Sequence, residues 1–124
     1  MDVQKRYSEW ESNNAKRCEK MEIADILEMI AYGTPEKPVR KNVLLEGKAK
    51  NKIVNGHSGR MYFILEDPKS LKGIIINTDM GPITSFIEED DDISITGTYS
   101  SDNRYIEMNY IFNWNLWKRL EGER

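Results

Sequence analysis

The chain has 124 residues, 39% hydrophobic and 31% charged, with a formal net charge of -3; that length supports one core and leaves little room for a second independent domain. No apolar run approaches the roughly eighteen residues that a membrane span requires, so no membrane insertion is expected. Cys18 is the only cysteine and His57 the only histidine, which excludes an internal disulfide and a Cys/His zinc site; no metal or other cofactor is expected.

The first residues, MDVQKRYSEWESNN, are polar and lack the apolar stretch of a secretory signal, so a cytoplasmic location is the default expectation. Val3, Tyr7 and Trp10 form a weak helical stripe that reaches towards Cys18 and is interrupted near Asn13 and Asn14. Residues 20–32 place Ile23, Ile26, Leu27 and Ile30 at the i, i+3, i+4, i+7 spacing of an amphipathic helix. Gly33 suits the left-handed end of that helix, and Pro35 and Pro38 prevent its continuation, which makes residues 33–38 a short extended connector. The expected organisation is a helical extension and linker over 1–38, a barrel over 39–114 and a tail over 115–124.

Beyond the connector the apolar period changes to two. A first strand is predicted over 42–54, with Val43, Leu45, Gly47 and Ala49 turned inward and Lys48, Lys50 and Lys52 lining the outside in one row. Residues 55–59 hold two glycines and form a turn, and the strand RMYFILED over 60–67 turns Phe63 and Leu65 inward, Tyr62 and Ile64 outward. After a turn at 67–70 comes an Ile-rich strand over 71–78. Gly81 and Pro82 then open a segment in which Ile83, Phe86 and Ile87 have the spacing of a short helix with one apolar face. Strands over 92–99 and 104–114, joined by a turn at 100–103, complete the series.

Strand, strand, strand, short helix, strand, strand is the order of an OB-fold, a mainly β, five-stranded Greek-key barrel whose outer face around strands two and three takes oligonucleotides or sugars. Individual positions agree. Leu45-Glu46-Gly47-Lys48-Ala49, then Tyr62-Phe63-Ile64-Leu65-Glu66-Asp67, then Ile93-Ser94-Ile95-Thr96-Gly97 follow the loose pattern of these domains. Over Val43 to Ile111 the chain resembles OB-fold nucleic-acid-binding domains of the anticodon-binding and replication protein A-like type. It departs from them at Gly73–Asn77, apolar on both faces, and at Glu88–Asp92, where relatives have a short Gly-Asp turn. The glycines of the first and fourth strands suit the coiling of a small closed barrel.

Charge is unevenly spread. From Arg40 to Phe63 six basic residues face one acid, while five acids run together at Glu88–Asp92. Lys48, Lys50 and Lys52 read either as contacts for a phosphate backbone or as an ordinary solvated face that discourages edge pairing. Tyr62, with Ile64 beside it, reads either as a platform for a stacked base or as a side chain covered by a loop or helix. Arg60, Lys72 and His57 of the 55–60 loop and its surroundings complete the candidate nucleic-acid set; His57 is assigned no catalytic role. The acids of 88–92 lack the spacing of a metal cage and read as a solvated turn on the wrong face of the barrel for nucleic acid.

Trp114, Trp117 and Leu120 make the last residues strongly apolar, and with Trp10 they read either as a partner interface or as packing of the two chain ends on each other and on the barrel. No catalytic constellation is visible, so no enzymatic activity is expected. The expected function is weakly sequence-specific binding of single-stranded DNA or RNA, mainly electrostatic with stacking. The alternative is a non-catalytic subunit that assembles through its terminal helices with a partner protein or with copies of itself.

Overall fold

The computed structural model describes residues 2–32 and 39–122. The connector at 33–38, with Gly33, Pro35 and Pro38, lies outside the described residues. Helix α1 (Val3–Asn14) begins at Asp2, whose carboxylate accepts a hydrogen bond from Lys5 N at 2.8 Å and so satisfies one of the amide donors that a helix start leaves unpaired. It runs unbroken through Asn13, and Cys18 falls beyond it, outside any helix. Helix α2 (Ile23–Ala31) buries Ile23 and Ile26 and packs Leu27 and Ile30 more loosely, as its spacing predicts.

The strands are β1 (Glu19–Lys20), β2 (Arg40–Asn55), β3 (Arg60–Glu66), β4 (Gly73–Asp79), β5 (Asp92–Ser100) and β6 (Tyr105–Asn113). Their pairings run β2-β3-β4-β6-β5, and β5 pairs back with β2, so five strands form a ring. The two-residue β1 is an addition to the expected five; it lies parallel to β2 at Val43 and Leu44, outside the ring. The long β2 makes the ring possible. Its residues 40–48 pair with β5 and its residues 48–55 with β3. Gly47 stands at that handover, where a Cβ would come within 2.6 Å of Glu66 O, so close approach of backbones demands glycine there.

Val43, Leu45, Ala49, Phe63, Leu65, Ile76 and Ile95 fill the interior together with Ile23 and Ile26 of α2. The segment expected as an extension therefore supplies part of the core. The short helix expected between the third and fourth strands of the barrel is a single 3-10 turn, Thr84–Phe86. Only Ile87 enters the core there, while Ile83 and Phe86 are more than half exposed; one turn is too short to present three side chains to one surface. The expected tail is instead a helix, α3 (Trp114–Gly122), whose start is held by Asn113 Oδ1 accepting from Leu116 N at 3.1 Å.

Candidate nucleic-acid interface

The lysines of β2 do not form one row. The pairing of β2 with β3 steps from Lys50↔Ile64 directly to Ile53↔Tyr62, so one extra residue is inserted in β2. Asn51 takes up that residue with φ 53°, a left-handed conformation that asparagine tolerates better than most. Paired residues share a face, so Ile53, not Lys52, stands beside Lys50 on the outside. Lys52 turns the other way, and its ammonium donates to Ile87 O at 2.7 Å.

The other two lysines meet the acidic run. Lys48 pairs with Asp92 at 2.9 Å and Lys50 with Asp90, while Asn51 N donates to the Glu89 carboxylate at 3.1 Å. The hydrogen bond to Asp90 raises the affinity of Lys50 for its proton, and the same bond holds the Asp90 carboxyl below the usual range. Backbone bonds lock the arrangement: Ala49 N donates to Asp91 O at 2.9 Å and Asp90 N to Ala49 O at 2.8 Å. The run was expected as a solvated turn on the far side of the barrel; it lies directly across the lysines. Nor is it all solvated, because Asp91 is buried.

The outer face of β3 alternates as predicted: Met61, Phe63 and Leu65 are buried, and Arg60, Tyr62, Ile64 and Glu66 turn outward. Register extends this face sideways. Tyr62 lies between Ile53 and Asn77, and Ile64 lies between Lys50 and Ile75, which in turn pairs with Tyr105 of β6. Ile53, Tyr62 and Ile75 are 64%, 37% and 47% exposed. An apolar and aromatic stripe thus crosses four strands. Ile53, Ile75 and Tyr105 were not among the expected site residues. Ile75 was signalled by a strand apolar on both faces, whereas Ile53 was hidden by the bulge.

Arg60 closes one end of the face. Its guanidinium bonds Asp79, and also Glu107 Oε2 at 2.9 Å, and those two carboxylates strengthen its hold on its proton. Asn77 Nδ2 donates to the same Glu107 at 2.6 Å. The adjoining loop is a tight hairpin in which Asn55 Oδ1 accepts from His57 N and Ser58 N, and Gly59 takes φ +68°. His57 is exposed at its tip. Lys72 is exposed at the far end of β3, in the turn before β4, so it stands roughly 20 Å along the strand direction from Arg60. The face therefore has an apolar centre and cations at its margins, most of them already paired.

The chain ends meet on another part of the surface. Tyr7 of α1 stacks on Trp114 at 4.6 Å between centroids and meets Phe112 edge-on at 5.4 Å. Phe112 also contacts Trp10 and Trp117, and the Arg6 guanidinium lies 4.2 Å from the Trp117 ring centre while pairing with Glu121 at 2.9 Å. Beneath them runs a polar chain: Trp114 Nε1 donates to Ser94 Oγ at 3.0 Å, and the Tyr7 hydroxyl reaches Glu46 and Glu11 at 3.1 Å each. Ser94, facing outward from β5, is fully covered by this cluster, whereas Glu46 beside it on β2 stays exposed while accepting from Tyr7. Of the four residues considered for a partner interface, Trp10, Trp114 and Trp117 are half-buried in this cluster and Leu120 is exposed.

No family model matches the sequence and no curated protein does. Among solved structures, the fold is similar to a chain in the crystal structure of yeast Stn1 and Ten1, with a TM-score of 0.58 at 8% sequence identity. The match covers 79% of this chain and 63% of that one. At that identity the likeness is one of fold, and the mainly β, OB-type architecture read from the strand order is the architecture found.

Proposed function

We propose that this protein binds single-stranded DNA or RNA across the outer face of β2, β3 and β4, without catalysis and with little sequence preference. The observation that carries the reading is the stripe of Ile53 and Tyr62 on one rung of the sheet and Ile64, Ile75 and Tyr105 on the next, partly exposed on the face that OB-folds commonly use for oligonucleotides. Such a stripe suits stacked bases. The pairing of Lys48 and Lys50 with Asp92 and Asp90 shifts the weight from phosphate neutralisation to stacking, because each lysine must leave an internal partner before it meets a phosphate.

Assembly with a partner through the terminal helices has weaker support, since the tryptophans are engaged within the chain and Leu120 alone of that group is exposed. Fluorescence anisotropy with labelled fifteen-nucleotide oligo(dT) and oligo(rU) tests the binding reading. Loss of one stacked base, worth about 1–3 kcal/mol, predicts that Tyr62→Ala raises Kd about 5- to 150-fold. Charge reversal at Lys48 and Lys50 should act less, and the dependence on salt should be shallow. Absence of binding at low salt defeats the proposal.

A further inference from the structure

The two edges of β6 differ. On one side β5 accompanies it from Ile106 to Asn113. On the other, β4 pairs with it only at Tyr105, Ile106 and Glu107. β4 then turns away with β3, keeping Thr78 opposite Met61 and Asp79 opposite Arg60. From Met108 to Asn113 no strand among the described residues pairs with this second edge. An unpaired edge presents backbone donors and acceptors along its length, ready to template another strand.

Space lies beside that edge. A groove of about 530 Å³ is lined by the consecutive residues Met108, Asn109, Tyr110 and Ile111. The pairing of β6 with β5 steps from Tyr110↔Thr96 to Met108↔Gly97, so Asn109 is an extra residue that bends β6, and the groove follows this bent stretch of the strand. A second hollow of about 320 Å³ shares Trp10, Asn14, Ile83 and Ile111 with the first, but Phe112 and Asn113 on its wall are buried, so the open edge ends at Ile111. The four residues Met108–Ile111, none of them buried, offer roughly 13 Å of track. Its walls carry apolar side chains left in solvent, Ile83 at 55% and Tyr110 at 54% exposure.

The geometry points to this edge as a docking site for an extended segment of a partner protein that adds as a short strand beside Met108–Ile111. Backbone pairing supplies the affinity in such additions, and pockets for alternate side chains supply the choice of partner. Charge narrows the occupant further. At one end of the groove two carboxylates, Asp79 and Glu107, share the single guanidinium of Arg60, and at the other Arg6 is already paired with Glu121. A segment with alternating apolar residues and a lysine or arginine at the Glu107 end fits; a phosphate backbone does not. This groove meets the outer face of β2–β4 only at Arg60, and Met108–Ile111 and Ile83 lie outside the stripe of Tyr62, so the two proposals are separated by which residues respond.

The test is a titration of isotope-labelled protein, followed by amide chemical shifts, with an array of eight-residue peptides. Each peptide alternates β-branched with polar residues and carries a lysine at one end or the other. The expected result is that members with one lysine placement shift the Met108–Ile111 amides and slow their exchange. Ile83→Glu, and N-methylation of alternate peptide residues, should each weaken binding at least tenfold. The proposal is overturned if no member moves these amides at millimolar concentration, or if methylated peptides bind equally well. It is also overturned if the same shifts arise from protein concentration alone, which would make a second copy the occupant, or from oligo(dT).

Discussion

Asp91 sits in a run of five acids that look alike in the sequence, yet it is the one taken into the core. Its carboxylate accepts from Glu88 N and from Asn113 Nδ2 at 2.9 Å each, with the Arg119 guanidinium at 3.3 Å. It thereby ties the loop before β5 to the end of β6 and the start of α3. Removing it strands the buried Asn113 amide donor, while the exposed Arg119 guanidinium keeps Glu88 at 3.5 Å, so Asp91→Ala should cost about 1–3 kcal/mol in urea denaturation, whereas Glu89→Ala should cost less than about 1 kcal/mol. Tyr7 makes a second residue-scale prediction. Burial, then the neighbouring Glu46 and Glu11 carboxylates, push its hydroxyl far above the usual range. The unfolded tyrosine releases its proton near pH 10, so above that pH the unfolded state binds fewer protons than the native one. This contribution is fully present below pH 10 and falls as pH rises, with a slope approaching about 1.4 kcal/mol per pH unit. Urea midpoints measured from pH 9 to 11.5 should show that fall, and Tyr7→Phe, though less stable at pH 9, should flatten it.

Among the elements, those with regular period were legible. α2 and the inward residues of β2, β3 and β5 follow from spacing alone, because burial on one face imposes the period. The bulge in β2 was not legible: an inserted residue leaves the composition of a strand unchanged and shows only in its pairing. Its cost to the reading was large, since it exchanges Lys52 for Ile53 on the outer face. The left-handed φ of 53° at Asn51 makes the bulge testable. Asn51→Gly should change stability by less than about 0.5 kcal/mol, while Asn51→Val should cost about 1–2 kcal/mol, read from thermal or urea unfolding. The partnership of the acidic run with the lysines was equally hidden, because it joins residues about forty positions apart across the β2–β5 seam.

For the whole molecule, an overall charge of -3 and an acidic run folded over the lysines leave no broad cationic surface on the candidate face. The stripe centred on Tyr62 is instead its distinctive feature, flanked by paired charges that keep the apolar patch small. Binding by such a face should read bases through their rings and be tolerant of sequence. Titration of isotope-labelled protein with unlabelled fifteen-nucleotide oligo(dT), followed by chemical shifts, tests this most directly. The account predicts that the largest shifts fall on Ile53, Tyr62, Ile64, Ile75 and Tyr105, with smaller ones at Lys48 and Lys50. Shifts gathered instead on α1 and α3, or none at millimolar oligonucleotide, would contradict it.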